Sequence, residues 1–267
     1  METAAITPYS GMSLFSAILL WWLGTGAVML LGRALAGPGS RAANAAFKGW
    51  PIWAAVLALG FGVYAVIISA ADASSGGAYL GFIGALAVWG FIEATFLAGW
   101  VTGPRRAPCP EGAFGWKRFR FAAETLIYHE ILIAASVVAV FALTRSGVND
   151  TAFLTILALA VLRLSAKLNL FFGVPNFSDE LMPSHLGYLR SYCPRRHSNM
   201  LAPVSILLPA MAAAMLAATA AEAPTPVGRL LVAALIALGA LEHIFMFVPF
   251  RDAVLWRWAG VRSDSSI

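Results

Sequence analysis

Apolar residues run along this chain in stretches of about 20, broken by shorter segments rich in glycine, proline and arginine. At 1.5 Å rise per residue, a helix of that length matches the roughly 30 Å hydrocarbon core of a bilayer. Seven such stretches are present: 11–32, 50–71, 78–101, 121–143, 151–172, 201–221 and 230–250. The pattern predicts an all-α polytopic membrane protein, a bundle of about seven transmembrane helices. The linkers are mostly short, so residues 1–267 read as a single integral membrane domain. Met1–Ser10 lacks the basic start of a cleavable signal, so the first span is expected to be retained.

Composition narrows the class further. Residues AVILMFWYC make up 60% of the chain and charged residues only 12%. Soluble domains carry about twice that charge, so an ordinary soluble enzyme, a disordered chain, a collagen and a coiled coil are all excluded. Two cysteines, Cys109 and Cys193, are too few for a disulfide scaffold or a four-thiolate metal site. The net charge of +5 does not point to nucleic acid, because basic residues gather in the cytoplasmic loops of membrane proteins.

The placement of that charge tests the span count. Segments 33–49, 102–120, 173–200 and the tail after 250 hold 14 of the 18 basic residues. The alternate segments hold only Arg145 and Arg229. The positive-inside rule then predicts a periplasmic N-terminus and a cytoplasmic C-terminus. Trp50, Trp53, Trp100, Trp116, Trp256 and Trp258 fall near the basic ends of spans, where indole rings anchor helices. The tail Val248–Val261 is expected to lie along the membrane surface.

Ionisable groups inside lipid are costly and are candidates for function. Here they are Glu93, His129, Glu130, Arg163, Lys167, Glu242 and His243, with Glu124 near the surface. Most fall eight or nine residues from the basic end of their spans, roughly 12–14 Å deep, with Lys167 one turn shallower. Four helices thus bring polar groups to one level, which predicts a shared cluster. Three readings remain open. The first is an ion-pair network of Glu93, Glu130 and Glu242 with Arg163 and Lys167 that holds helices together. The second is a metal or tetrapyrrole site using His129 or His243. The third is a proton or solute pathway.

The basic loops carry Arg105, Arg106, Arg118, Arg190, Arg195 and Arg196, expected to face anionic lipid or an acidic partner. Pro183 is suited to start a short interfacial helix with Leu186, Leu189 and Tyr192 on its apolar face. His185 and His197 read as solvated, and Cys109 and Cys193 as free thiols. No nucleotide-binding motif, zinc-protease motif or nucleophile–base pair is present, so no catalytic residue emerges.

Several phrases together resemble one family: VTGPRRAPCPEGAFGWKRFR from Val101, IYHE from Ile127, RLSAKLNLFFGVPNFSDELMPSHLGYLRSY from Arg163 and LEHIFMFVP from Leu241. They resemble the PuhE family, photosynthetic complex assembly protein 2. The resemblance covers most of the chain. It implies a multi-pass protein of the inner membrane of an anoxygenic phototroph, cytoplasmic or intracytoplasmic. The implied role is assembly of the reaction centre and core antenna, whose H subunit is one candidate partner. Alternatively, it implies a tetrapyrrole- or metal-binding protein, or an enzyme, acting on bacteriochlorophyll supply. In the first version lipid-facing helices hold an unassembled subunit, with small residues at Gly81–Ala87 and Ala212–Ala221 allowing close contact. In the second, His129 or His243 binds bacteriochlorophyll or a precursor, and Trp89 or Phe91 packs the macrocycle. No catalytic residue is carried over.

Overall fold

The computed structural model describes residues 8–36, 49–177, 182–248 and 252–259. Arg41, Lys48, Arg251 and Arg262 lie outside the described residues. The described chain is helical, with an isolated bridge between Val174 and Arg195. Eight α-helices follow in order: α1 Pro8–Ala36, α2 Trp50–Ser69, α3 Ser75–Leu97, α4 Gly115–Glu124, α5 Ile127–Thr144, α6 Thr151–Phe172, α7 Ala202–Ala218 and α8 Pro226–Phe245. Two longer 3-10 segments, Ser184–Tyr192 and Asp252–Ala259, lie at the basic end of the bundle.

Six described helices are long and apolar enough to cross a membrane: α1, α2, α3, α5, α6 and α8. The chain is a polytopic helical membrane protein. The sixth expected span, 201–221, forms the 17-residue α7, about 26 Å long, extended by a short 3-10 turn at Ala220–Glu222.

Helices α3 and α8 are the most enclosed, and their small residues explain why. In lipid, helices approach closely where side chains are small. A Cβ on Gly84 of α3 would sit 3.0 Å from the Gly62 carbonyl oxygen of α2 and 2.9 Å from Ala65 Cβ. Gly239 of α8 likewise receives Leu162 of α6. One core joins Val66, Ala85, Val88, Ile92, Ile133 and Ile156 between α2, α3, α5 and α6. A second joins Ala17, Phe82, Leu231 and Leu235 between α1, α3 and α8.

The fourth span departs from expectation. The apolar run suggested a helix from 121, but the backbone breaks at Thr125–Leu126, separating α4 from α5. The cause is tertiary. The Thr102 carbonyl accepts the backbone N–H groups of Tyr128 and His129 at 3.0 and 3.1 Å, satisfying orphan donors of a helix start. Gly103 lies directly on the Glu124–Leu126 backbone, where any Cβ would collide.

The tail also differs. Rather than lying along the surface, Asp252–Ala259 packs on α1. Trp256 is only 4% exposed and meets Trp21 edge to face at 5.5 Å, while Trp258 sits over Gly26 and meets Trp22. Trp22 Nε1 donates to the Leu255 carbonyl and Arg33 to that of Ala259. Trp256 is therefore a packing residue and not a membrane anchor. Trp50, Trp53 and Trp116 remain strongly exposed, as anchors should be.

Candidate functional site: a buried charge cluster beside α6

Two residues of α6 four positions apart, Arg163 and Lys167, share one helix face. They meet acids from two other helices. Arg163 donates to Glu93 Oε2 of α3 at 2.8 Å. Lys167 donates to Glu130 Oε1 of α5 at 2.5 Å. Each cation thus ties α6 to a different neighbour. Glu93 is 7% exposed, so its pairing with Arg163 is what makes its burial tolerable.

His129 of α5 completes the cluster from beneath. It is fully buried, its ring 4.4 Å from that of Phe96. Its Nε2 lies 3.5 Å from Glu93 Oε1, an electrostatic contact without hydrogen-bond geometry. Both imidazole nitrogens, Glu93 Oε1 and Arg163 Nε are buried without a hydrogen-bond partner. Lys167 Nζ stands 5.8 Å from the Phe96 ring centre, within cation–π range.

The break at Thr125–Leu126 changes the depth of these groups. His129 and Glu130 occupy the first turn of α5, and Glu93 lies four residues before the end of α3. The cluster therefore sits within the last turns of the bundle, shallower than the uninterrupted spans implied.

The expected single cluster resolves into two loci. At about 100° per residue, Ser165 projects from the side of α6 opposite Arg163 and Lys167. There Ser165 Oγ meets His243 Nε2 of α8 at 3.0 Å, while His243 Nδ1 lies 2.7 Å from the Gly239 carbonyl oxygen. A carbonyl only accepts, so Nδ1 carries a proton. In the neutral ring Nε2 is then the acceptor and Ser165 the donor. Glu242, next to His243, turns toward α1 and accepts from Trp21 Nε1 at 2.8 Å. His129 and His243 therefore lie on opposite flanks of α6. Among the described residues, no three of His, Cys, Asp and Glu gather to hold a metal ion.

The basic loops also differ from expectation. Arg118 turns inward, donating to the carbonyls of Phe171 and Tyr192 and covering the Phe171 ring at 4.2 Å. Arg105 donates to Tyr192 Oη and the Pro108 carbonyl and lies over Phe121. These two arginines fasten loops together. Arg106, Arg190, Arg195 and Arg196 are exposed. Leu186, Leu189 and Tyr192 do share one face, but the segment is a 3-10 helix in which residues three apart align. That face turns onto Phe96 and Leu97 and not onto lipid. His185 is not solvated: its Nε2 donates to the Leu97 carbonyl at 2.9 Å, capping α3. Cys109 and Cys193 are free, and burial pushes the Cys193 thiol up to about 11 despite nearby Arg118.

Sequence reasoning missed Phe96, Thr102, Ser165 and Trp21. Phe96 lies three residues after Glu93, and Ser165 stands midway between Arg163 and Lys167, so spacing could have flagged both. The other two act through tertiary contacts that no local pattern carries.

A family model described as "Protein of unknown function (DUF3623)" matches residues 9–266. The chain belongs to the DUF3623 family. A family relative from Rhodobacter capsulatus, named the uncharacterized 30.4 kDa protein in the puhA 5' region, is 37% identical over 248 residues. The match covers 91% of this chain and 88% of that protein. No solved structure matches the chain.

Proposed function

We propose that this DUF3623 protein is an accessory factor for assembly of the photosynthetic reaction centre and core antenna, the role of the PuhE family that its sequence resembles. The observation carrying this reading is the relative in the puhA 5' region, matched along nearly its full length. The site supports a scaffold in preference to a catalyst. The charges of the cluster pair with each other across α3, α5 and α6, which fixes helix positions without a reacting group. In this reading the protein sits in the inner membrane of an anoxygenic phototroph, basic end in the cytoplasm, as the charge asymmetry favours. Its partners are reaction-centre or core-antenna subunits, with the H subunit a candidate.

The alternative, a protein that binds bacteriochlorophyll or a precursor, is less well supported by the residues present. An axial ligand needs an unengaged ring nitrogen with room for the macrocycle. Both His243 nitrogens are engaged. His129 has unpartnered nitrogens, but it is sealed between Phe96 and Glu93. Trp89 packs against the α2–α3–α5–α6 core, and Phe91 packs toward α1 and α2. The residues do not fit a tetrapyrrole as they stand.

The test is deletion of the gene in a phototrophic host, with complementation by a tagged full-length chain. Loss of reaction-centre absorbance at normal pigment synthesis, with reaction-centre or core subunits co-purifying, is expected. Purified protein carrying stoichiometric pigment, or intact reaction centres in the deletion strain, would overturn the scaffold reading.

A further inference from the structure

The short helix α4 has no buried residue, yet it is held firmly in place. Its inward side carries Arg118, bonded to the Phe171 and Tyr192 carbonyls, and Phe121, under Arg105. These contacts fix α4 beside the basic end of α6, where Phe171 and Phe172 close the helix.

At 100° per residue the outward side of α4 divides into two adjacent bands. Trp116 and Phe119 form one, their rings stacked with centres 5.1 Å apart. Phe119 continues the row to Phe171 at 5.6 Å, and Phe171 to Phe172 at 5.6 Å. Phe114, just ahead of α4, is 83% exposed and Trp116 is 76% exposed. The neighbouring band holds Lys117 and Arg120, both exposed. Arg120 also pairs with Glu124 at 3.0 Å, but its side chain is 70% exposed. A surface pair of this kind is weak and leaves the guanidinium open to a second anion.

A row of aromatic rings level with the end of a transmembrane helix, bordered by two cations, matches the layering of a membrane interface. Rings favour the acyl–headgroup boundary and cations the phosphates outside it. We propose that α4 is an anionic-phospholipid-binding element: Phe114, Trp116 and Phe119 enter the interface while Lys117 and Arg120 hold the headgroup phosphate of an acidic lipid. Through Arg118 and Tyr192, a lipid held there also steadies the 102–112 loop and the 184–192 segment. This inference needs only that the chain spans a membrane and stands whether or not the assembly role holds.

The test uses the full chain in nanodiscs of phosphatidylcholine with and without phosphatidylglycerol. Lipid retained after detergent extraction is measured by native mass spectrometry, and thermal unfolding is followed in parallel. Each cation near an acidic surface is worth roughly a fivefold preference, so the pair gives up to about thirtyfold retention of phosphatidylglycerol over phosphatidylcholine. Lys117→Gln with Arg120→Gln should abolish most of that preference without altering stability in pure phosphatidylcholine, because both side chains are exposed. Half-molar salt should have the same effect on the unaltered protein. Arg190→Gln with Arg195→Gln, exposed cations of the neighbouring loop and not of α4 itself, should leave the preference intact. An unchanged preference in the Lys117/Arg120 variant would overturn the proposal. So would equal retention of both lipids by the unaltered chain, or loss of the preference in the Arg190/Arg195 variant alone.

Discussion

The two flanks of α6 solve the same problem in opposite ways. On one flank, Arg163 and Lys167 face carboxylates from α3 and α5. On the other, Ser165 meets the His243 ring of α8. Both flanks bring polar groups into an apolar bundle, where an unsatisfied group is costly. The charged flank yields strong, long-reaching ties but leaves four buried polar atoms unpartnered around His129. The neutral flank satisfies both His243 nitrogens. A buried ion pair is therefore fragile to loss of one member, whereas a neutral hydrogen-bonded pair degrades gently.

The sharpest way to break that contrast is Arg163→Met. It strands Glu93 in the core, and by analogy with buried pairs in soluble proteins costs about 3–5 kcal/mol. Unfolding in detergent should show the loss, and the protein should fail to accumulate in membranes. Adding Glu93→Gln should restore part of the stability, because a neutral amide is cheaper to bury. If the double variant is no better than the single one, the two residues are not a coupled pair.

Lys167→Met comes next. Its partner Glu130 is 30% exposed in its side chain and can find solvent or headgroups. The loss should be about 1.5–3 kcal/mol, in the range of a hydrogen bond to a charged group. A cost equal to that of Arg163→Met would mean that the two ties act as one unit.

On the neutral flank, Ser165→Ala leaves the buried but uncharged His243 Nε2 without its donor and should cost about 1–2 kcal/mol. Thermal unfolding should show a shift smaller than for either cation variant. A larger shift would reverse the ranking of the flanks. Trp21→Phe, which keeps a ring but removes the indole N–H from Glu242, should be of similar size, at about 1–2 kcal/mol.

The same contrast shows how far the sequence could be read. Lone charges in apolar runs stand out, so the membership of Glu93, Glu130, Arg163 and Lys167 was legible. Adjacent helical residues point about 100° apart, and that sends Glu242 and His243 to different neighbours, α1 and α6. One-dimensional depth cannot register such a divergence. Nor could it register the break before α5. The stretch from Phe121 to Leu143 reads as one apolar run, and the Thr102 carbonyl and Gly103 backbone, folded back from more than 20 residues upstream, divide it. Arg105 and Arg118 looked like surface charges because nothing local distinguishes an arginine facing lipid from one bonding loop carbonyls.

The most direct test concerns His129, the group most suited by chemistry to be something other than packing. His129→Phe keeps a ring against Phe96 and removes both nitrogens. The measurement is reaction-centre absorbance per unit of this protein in membranes of a phototrophic host carrying that variant. If the cluster serves to hold helices, both protein level and reaction-centre yield should stay close to those of the unaltered strain, while Arg163→Met lowers both together. Normal protein abundance with reaction centres lost in His129→Phe would contradict it, and would make the buried imidazole a working ligand.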